Sequence, residues 1–174
     1  VRALPKDFDR GAEMYMGADG TPTSSIDKVA EDVIFKAVED RGLEANLLSE
    51  EAGLVDRGFE DTLVIDPIDG THNSILNVPM YSVSLAVGKR SLLGVEHAVL
   101  LDLVTGALYK ASKGQGATID GERMSVRSLR SARPATLLYL GRFVHPRTFE
   151  IVGRSSRVRA IGCASLEMCL VAQG

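Results

Sequence analysis

The chain has 174 residues, 45% hydrophobic and 25% charged, enough for one ordinary domain with a sizeable core. Its net charge of -3, from 20 Lys and Arg against 23 Asp and Glu, argues against a nucleic-acid binder, which would usually be basic. It holds no apolar run of the roughly 18 residues that suggest a membrane span, and no signal-peptide pattern. The 2 cysteines, Cys163 and Cys169, suit a reduced, cytoplasmic setting as small buried thiols.

Residues 1–20 show no strong period, and Gly17-Ala18-Asp19-Gly20-Thr21-Pro22 reads as a turn-rich loop. Thr23, Ser24 and Ser25 offer N-cap oxygens. Ile26, Val29, Ala30, Val33, Ile34, Ala37 and Val38 then recur at helical spacing, which predicts an amphipathic helix stopped at Gly42. Asn46 to Ser49 reads as a short strand, followed by Glu50-Glu51 and a polar loop to Asp61. Leu63 to Ile65 is a buried strand expected to end at Asp66, because Pro67 cannot donate to a ladder. Gly70 permits a tight turn, and Thr71 is expected to cap a brief helix to Leu76. Tyr81–Val87, Val95–Leu103 and Ala107–Ala111 read as further strands, Asp120-Gly121 as a hairpin turn, and Met124–Val126 as the end of an antiparallel meander. Strands at 135–140 and Val158–Ile161 and helices near Pro146–Gly153 and Ser165–Gln173 follow. The fold class expected is α+β, with an antiparallel-sheet part over residues 1–134 and the beginning of a C-terminal α/β part over 135–174.

Asp66 and Asp69 are the leading candidates for chemistry. Both follow an apolar strand, where open α/β sheets place their sites. An acid there is costly unless compensated, and a second nearby adds like-charge repulsion. A hard cation such as Mg²⁺ would relieve both, with the Ile68 carbonyl as a further oxygen ligand. A helix N-terminus after Gly70 suits a phosphate. Two familiar acidic patterns fail on spacing. An EF-hand loop with Gly70 at its obligatory glycine would start at Ile65, which offers no side-chain oxygen. An aspartyl-nucleophile phosphatase would usually carry Asp-x-Asp, so water is the expected nucleophile. If the strands before Glu50 and Asp66 lie side by side, Glu50 becomes a third carboxylate, and such a cluster suits two Mg²⁺. Asp27, in the first turn of the long helix, is read as favouring the helix dipole. His72 and His97 are read as structural or surface, and Lys113-Gly114-Gln115-Gly116 as a hairpin loop without the P-loop ending. Arg142, Arg154, Arg157 and Arg159 are read as surface, with one or two as candidates for a second substrate phosphate.

The run Asp66-Pro67-Ile68-Asp69-Gly70-Thr71-His72-Asn73, preceded by Glu50-Glu51, resembles the signature of the inositol monophosphatase family. Gly17 to Thr23 followed by Asp27 is similar to the archaeal type with dual inositol monophosphatase and fructose-1,6-bisphosphatase activity. Lys113-Gly114-x-Gly116-Ala117 and Gly162 to Glu167 also fit. The resemblance implies a layered α-β-α-β-α sandwich and a lithium-sensitive, Mg²⁺-dependent phosphatase with two or three ions, Mn²⁺ being able to substitute. It implies that Glu50, Asp66 and the Ile68 carbonyl bind the first metal, that Asp66 and Asp69 bind the second, and that Glu50 helps with a third. Gly70 and Thr71 would hold the phosphate, Thr71 with Asp27 would activate the water, Glu51 would support the ligands, and Ala164 would line the sugar side. The implied substrate is inositol-1-phosphate or fructose-1,6-bisphosphate, and the implied assembly a homodimer. The family's further ligand Asp would come after Gly174, so truncation at both ends is expected. The competing readings are an inactive metal- and phosphate-binding fragment and a 3′-phosphoadenosine phosphate nucleotidase.

Overall fold

The computed structural model describes residues 4–89, 91–126, 135–140 and 144–174. Two short strands, β1 (Glu13–Met16) and β2 (Pro22–Ser24), form a hairpin around the Gly17–Thr21 loop. Residues 13–24 carry no periodic signal for that hairpin. Then comes α1 (Ser25–Asp40), with Ser24 as its N-cap. Ser24 and Asp27 form a capping box, each serving the other's backbone N–H. Next are β3 (Asn46–Ser49), β4 (Gly53–Val55) and β5 (Asp61–Asp69). β4 lies inside the stretch expected to be loop. It is too short to show alternation and exists because it pairs with β3 across the Glu50–Ala52 turn. α2 (Thr71–Ile75), β6 (Ser82–Lys89), a single 3₁₀ turn at Leu92–Gly94, β7 (Val95–Asp102), β8 (Leu108–Ser112), β9 (Gly116–Ile119) and β10 (Glu122–Arg123) follow. Asp120 and Gly121 both take positive φ, as their hairpin turn requires. The meander ends on Glu122–Arg123, earlier than the Met124–Val126 expected. Finally come β11 (Thr136–Leu137), α3 (Arg147–Arg154), β12 (Val158–Arg159) and α4 (Ala164–Gln173).

Eight strands make one mixed sheet in the order β10-β9-β8-β7-β6-β5-β3-β4. β3 and β5 are parallel neighbours, Ser49 opposite Ile65, and every other pair in this sheet is antiparallel. β11 and β12 pair separately in parallel. Side chains alternate across the sheet. On one face Leu47, Leu63 and Ile65 pack with Val38 of α1, joined by Ile34, Phe35, Leu85 and Val87. Each such side chain stabilises the fold by about 1.5–3 kcal/mol when fully buried. On the other face Leu100 and Tyr109 pack with Cys163 and Leu166 at α4. Only part of that face is covered, so Val64, in the run read as wholly buried, is 42% exposed. Val33, on the expected core stripe of α1, is 65% exposed.

β5 does not stop at Asp66. It runs to Asp69, and the register with β6 moves from Asp66 opposite Ser84 to Asp69 opposite Ser82. That leaves one extra residue on β5, a bulge, where Pro67 needs no ladder donor. The bulge re-aims the strand end and delivers Asp69 to Gly70. Gly70, not Thr71, is the N-cap of α2, at φ 85° with no side-chain cap. A Cβ at Gly70 would stand 2.8 Å from the Met80 carbonyl. Gly70→Ala is therefore expected to destabilise the chain by more than the roughly 1–2 kcal/mol of left-handed backbone alone, read by urea denaturation.

Candidate active site

The parallel register of β3 and β5 puts their C-terminal ends together, with the Glu50 N–H donating to the Ile65 carbonyl at 3.1 Å. Glu50 and Asp66 line the same cleft, where the charge of Glu50 bears on Asp66. Asp66 Oδ1 is buried with no hydrogen-bond partner. Burial, then the charges of Glu50 and Asp69, push the Asp66 carboxyl up to about 8. Burial and the neighbouring acids Asp19, Asp27 and Asp69 also raise Glu50. Burial raises Glu51 to about 7, against a hydrogen bond from Thr23.

Asp27 sits 3% exposed on α1. Burial raises its carboxyl, and hydrogen bonds from Ser24 and Thr71 pull it back. The Thr71 hydroxyl lies 2.9 Å from Asp27 Oδ1 and 2.8 Å from the Ile68 carbonyl. It has one proton, so it serves one of these at a time and keeps lone pairs for another donor. The dipole reading of Asp27 is thus incomplete, because the same carboxylate also touches α2, 44 residues on.

These groups border one cleft of about 790 Å³, whose lining includes Asp27, Glu50, Glu51, Asp66, Ile68, Asp69, Gly70, Thr71 and Ala164. His72, read as structural or surface, also lines it, with Tyr139 and Met168. Arg154, Arg157 and Arg159 are not part of the lining, and Arg142 lies outside the described residues. His97 is an exposed cross-strand partner of Ser112.

The structure gives Asp69 work that no local pattern displayed. Its carboxylate accepts the N–H groups of Ala164 (3.2 Å) and Ser165 (2.6 Å), the Ser165 hydroxyl, and the Cys163 thiol at 3.3 Å. It thereby caps α4. Burial pushes the Cys163 thiol up to about 12, so it is a packing group against Ser82 and not a nucleophile. Asn73 fastens the same region. Its Nδ2 donates to the Met80 and Ile161 carbonyls, both at 2.8 Å. Glu167 accepts the N–H groups of Ile161 and Gly162. Asn73→Ala leaves both carbonyls short of a donor and is expected to cost about 1–3 kcal/mol in urea denaturation.

Among the described residues no three His, Cys, Asp or Glu side chains form a ready-made ion cage. The donor set still fits a hard divalent cation: an unpartnered buried carboxylate oxygen, a second carboxylate that raises its proton affinity, and the Ile68 carbonyl with a lone pair to spare. Asp69 would contribute only by sharing oxygens with α4. No helix among the described residues is long and apolar enough to cross a membrane.

The chain is 37% identical over 182 residues to the fructose-1,6-bisphosphatase/inositol-1-monophosphatase of Methanothermobacter thermautotrophicus, covering 95% of this chain and 64% of that protein. It is 34% identical to the bifunctional NADP phosphatase/NAD kinase of Methanococcus maripaludis, covering 91% of this chain and 32% of that one. The solved structure of MJ0109, an inositol monophosphatase-fructose 1,6-bisphosphatase, superposes with a TM-score of 0.81 at 30% identity, over 95% of this chain and 64% of that one. The chain spans about three fifths of the length of the bisphosphatase relatives it matches. The family model for inositol monophosphatases matches residues 6–174, with the Glu50–Glu51 turn, the Asp66–Asn73 run and the start of α4 inside it, and the chain belongs to the inositol monophosphatase family.

Proposed function

We propose that this chain is the metal- and phosphate-binding part of a Mg²⁺-dependent phosphomonoesterase that hydrolyses a small sugar or cyclitol phosphate, inositol-1-phosphate or fructose-1,6-bisphosphate. The observation that carries the reading is Asp66, whose buried oxygen lacks a partner beside Glu50 and next to the Asp27–Thr71 pair. Glu50, Asp66 and the Ile68 carbonyl would hold Mg²⁺ or Mn²⁺, with Asp69 sharing in a second ion. When bound, the cation supplies Lewis acidity to the phosphoryl group and acidifies water. The Gly70–Thr71 backbone binds the phosphate. Thr71 orients the attacking water, and Asp27 takes its proton through the Thr71 hydroxyl. Ala164 borders the leaving alcohol, and Glu51, held by Thr23, keeps the Glu50 turn in place. The homodimer and the cytoplasmic setting belong to the same reading, the first testable by light scattering.

Phosphate release with Mg²⁺ tests this on a panel of inositol-1-phosphate, fructose-1,6-bisphosphate, NADP and 3′-phosphoadenosine phosphates. The nucleotides are included because relatives are named NADP phosphatases. Release that EDTA abolishes supports the reading. A second reading, binding without turnover, draws support from the engagement of Asp69 with α4. Mg²⁺ binding with no release from any substrate would favour it.

A further inference from the structure

Glu31 is a buried acid that the chemistry above does not use. It is 3% exposed, and acids are almost never fully buried unless paired. It follows Asp27 on α1 by four residues, so the helical period sets both on one face, a turn apart. Its Oε1 accepts the backbone N–H of Ala52 at 3.0 Å, and its Oε2 lies 3.5 Å from the Tyr15 hydroxyl of β1.

Ala52 comes directly after Glu50-Glu51. Two backbone bonds hold the rest of that turn: Glu50 N–H to the Ile65 carbonyl at 3.1 Å, and Ala18 N–H to the Glu51 carbonyl at 2.9 Å. The first ties it to β5 and the second to the β1–β2 loop. Among the described residues, the Glu31 bond is the hydrogen bond that ties it to α1, the helix that carries Asp27. One helical turn therefore spans the two groups that must cooperate: Asp27 reaches Thr71 at its start, and Glu31 holds the Glu50 turn one turn later.

Resting on the reading of Glu50 as a cation ligand, the geometry points to Glu31 as a positioning residue that fixes Glu50 relative to the Asp27–Thr71 pair. Residues that orient ligands in this way typically cost about 10–100-fold in metal affinity or activity when lost.

The test compares Glu31→Met, which keeps length and helix propensity but removes both acceptors, with Glu31→Gln, which keeps an acceptor for Ala52. Exchange of the Ala52 amide, followed by NMR, is expected to accelerate about tenfold or more in Glu31→Met and to stay near the parent in Glu31→Gln. Calorimetric titration with Mg²⁺ alone is expected to show about 10–100-fold weaker binding in Glu31→Met and near-parent binding in Glu31→Gln. In turnover, kcat and half-saturating Mg²⁺ move while KM for the sugar phosphate stays. Equal Mg²⁺ affinity in Glu31→Met and parent overturns the proposal, and so does an equal loss in both variants. A Glu31→Met chain that is unfolded beside a folded Glu31→Gln assigns the residue to stability alone and overturns it too. A parent that binds Mg²⁺ without releasing phosphate ends the phosphatase reading and leaves the Glu31 comparison standing.

Discussion

Asp66→Asn is expected to lower phosphate release by about a thousandfold or more, three decades being about 4 kcal/mol of lost transition-state stabilisation. The same change is expected to make the metal-free chain more stable. Asp66 Oδ1 is buried without a partner and faces the negative charge of Glu50 and Asp69. An amide of the same shape does not have to take up the proton that burial and those acids force on Asp66 at neutral pH, and the gain expected in urea without Mg²⁺ is about 1–3 kcal/mol. Saturating Mg²⁺ should reverse the order. Binding at about a hundred times its dissociation constant stabilises the parent by about 2.7 kcal/mol, and the variant loses most of that. A stabilised but inactive variant separates a ligand from a scaffold residue, whose loss lowers stability and activity together. Parent-like phosphate release would refute the role.

Thr71→Val is the second large effect. Valine keeps the shape and removes the hydroxyl that touches Asp27 Oδ1 and the Ile68 carbonyl. A general-base relay contributes about 10²–10⁴-fold, so kcat should fall by that much while KM changes little. Stability should fall by about 1 kcal/mol, the net worth of one hydrogen bond, because Ser24 still serves Asp27. Asp27→Asn should match the loss in kcat. The double variant should lose little more than either single, since residues that act as a unit are not additive. Additive losses in steady-state kinetics would show that the two act separately.

What the sequence revealed follows from the range of each signal. α1 was legible because its apolar period is local and sixteen residues long, with Ser24 and Asp27 at its start. The junction of Glu50 and Asp66 was legible because two apolar strands each ended in acids, and their parallel pairing does the rest. The end of β5 was misplaced because Pro67 suggests a stop, whereas a bulge accommodates it. β4 and the β1–β2 hairpin were missed because strands of three or four residues are set by partners, not by period. The Asp69 cap on α4 joins groups 94 to 96 residues apart, and Glu31 reaches Ala52 across 21. Neither leaves a local trace beyond the bare presence of an acid. The motif named Asp69 but could not say that α4 would engage its carboxylate.

The phosphatase proposed here needs a cation site at the ends of β3 and β5, beside the Asp27–Thr71 pair. Anomalous diffraction from crystals of the chain soaked in Mn²⁺ tests it directly. A peak bonded to carboxylate oxygens of Glu50 and Asp66 and to the Ile68 carbonyl, at about 2.0–2.3 Å, is expected. No peak there at saturating Mn²⁺, or one held by other residues, would contradict it.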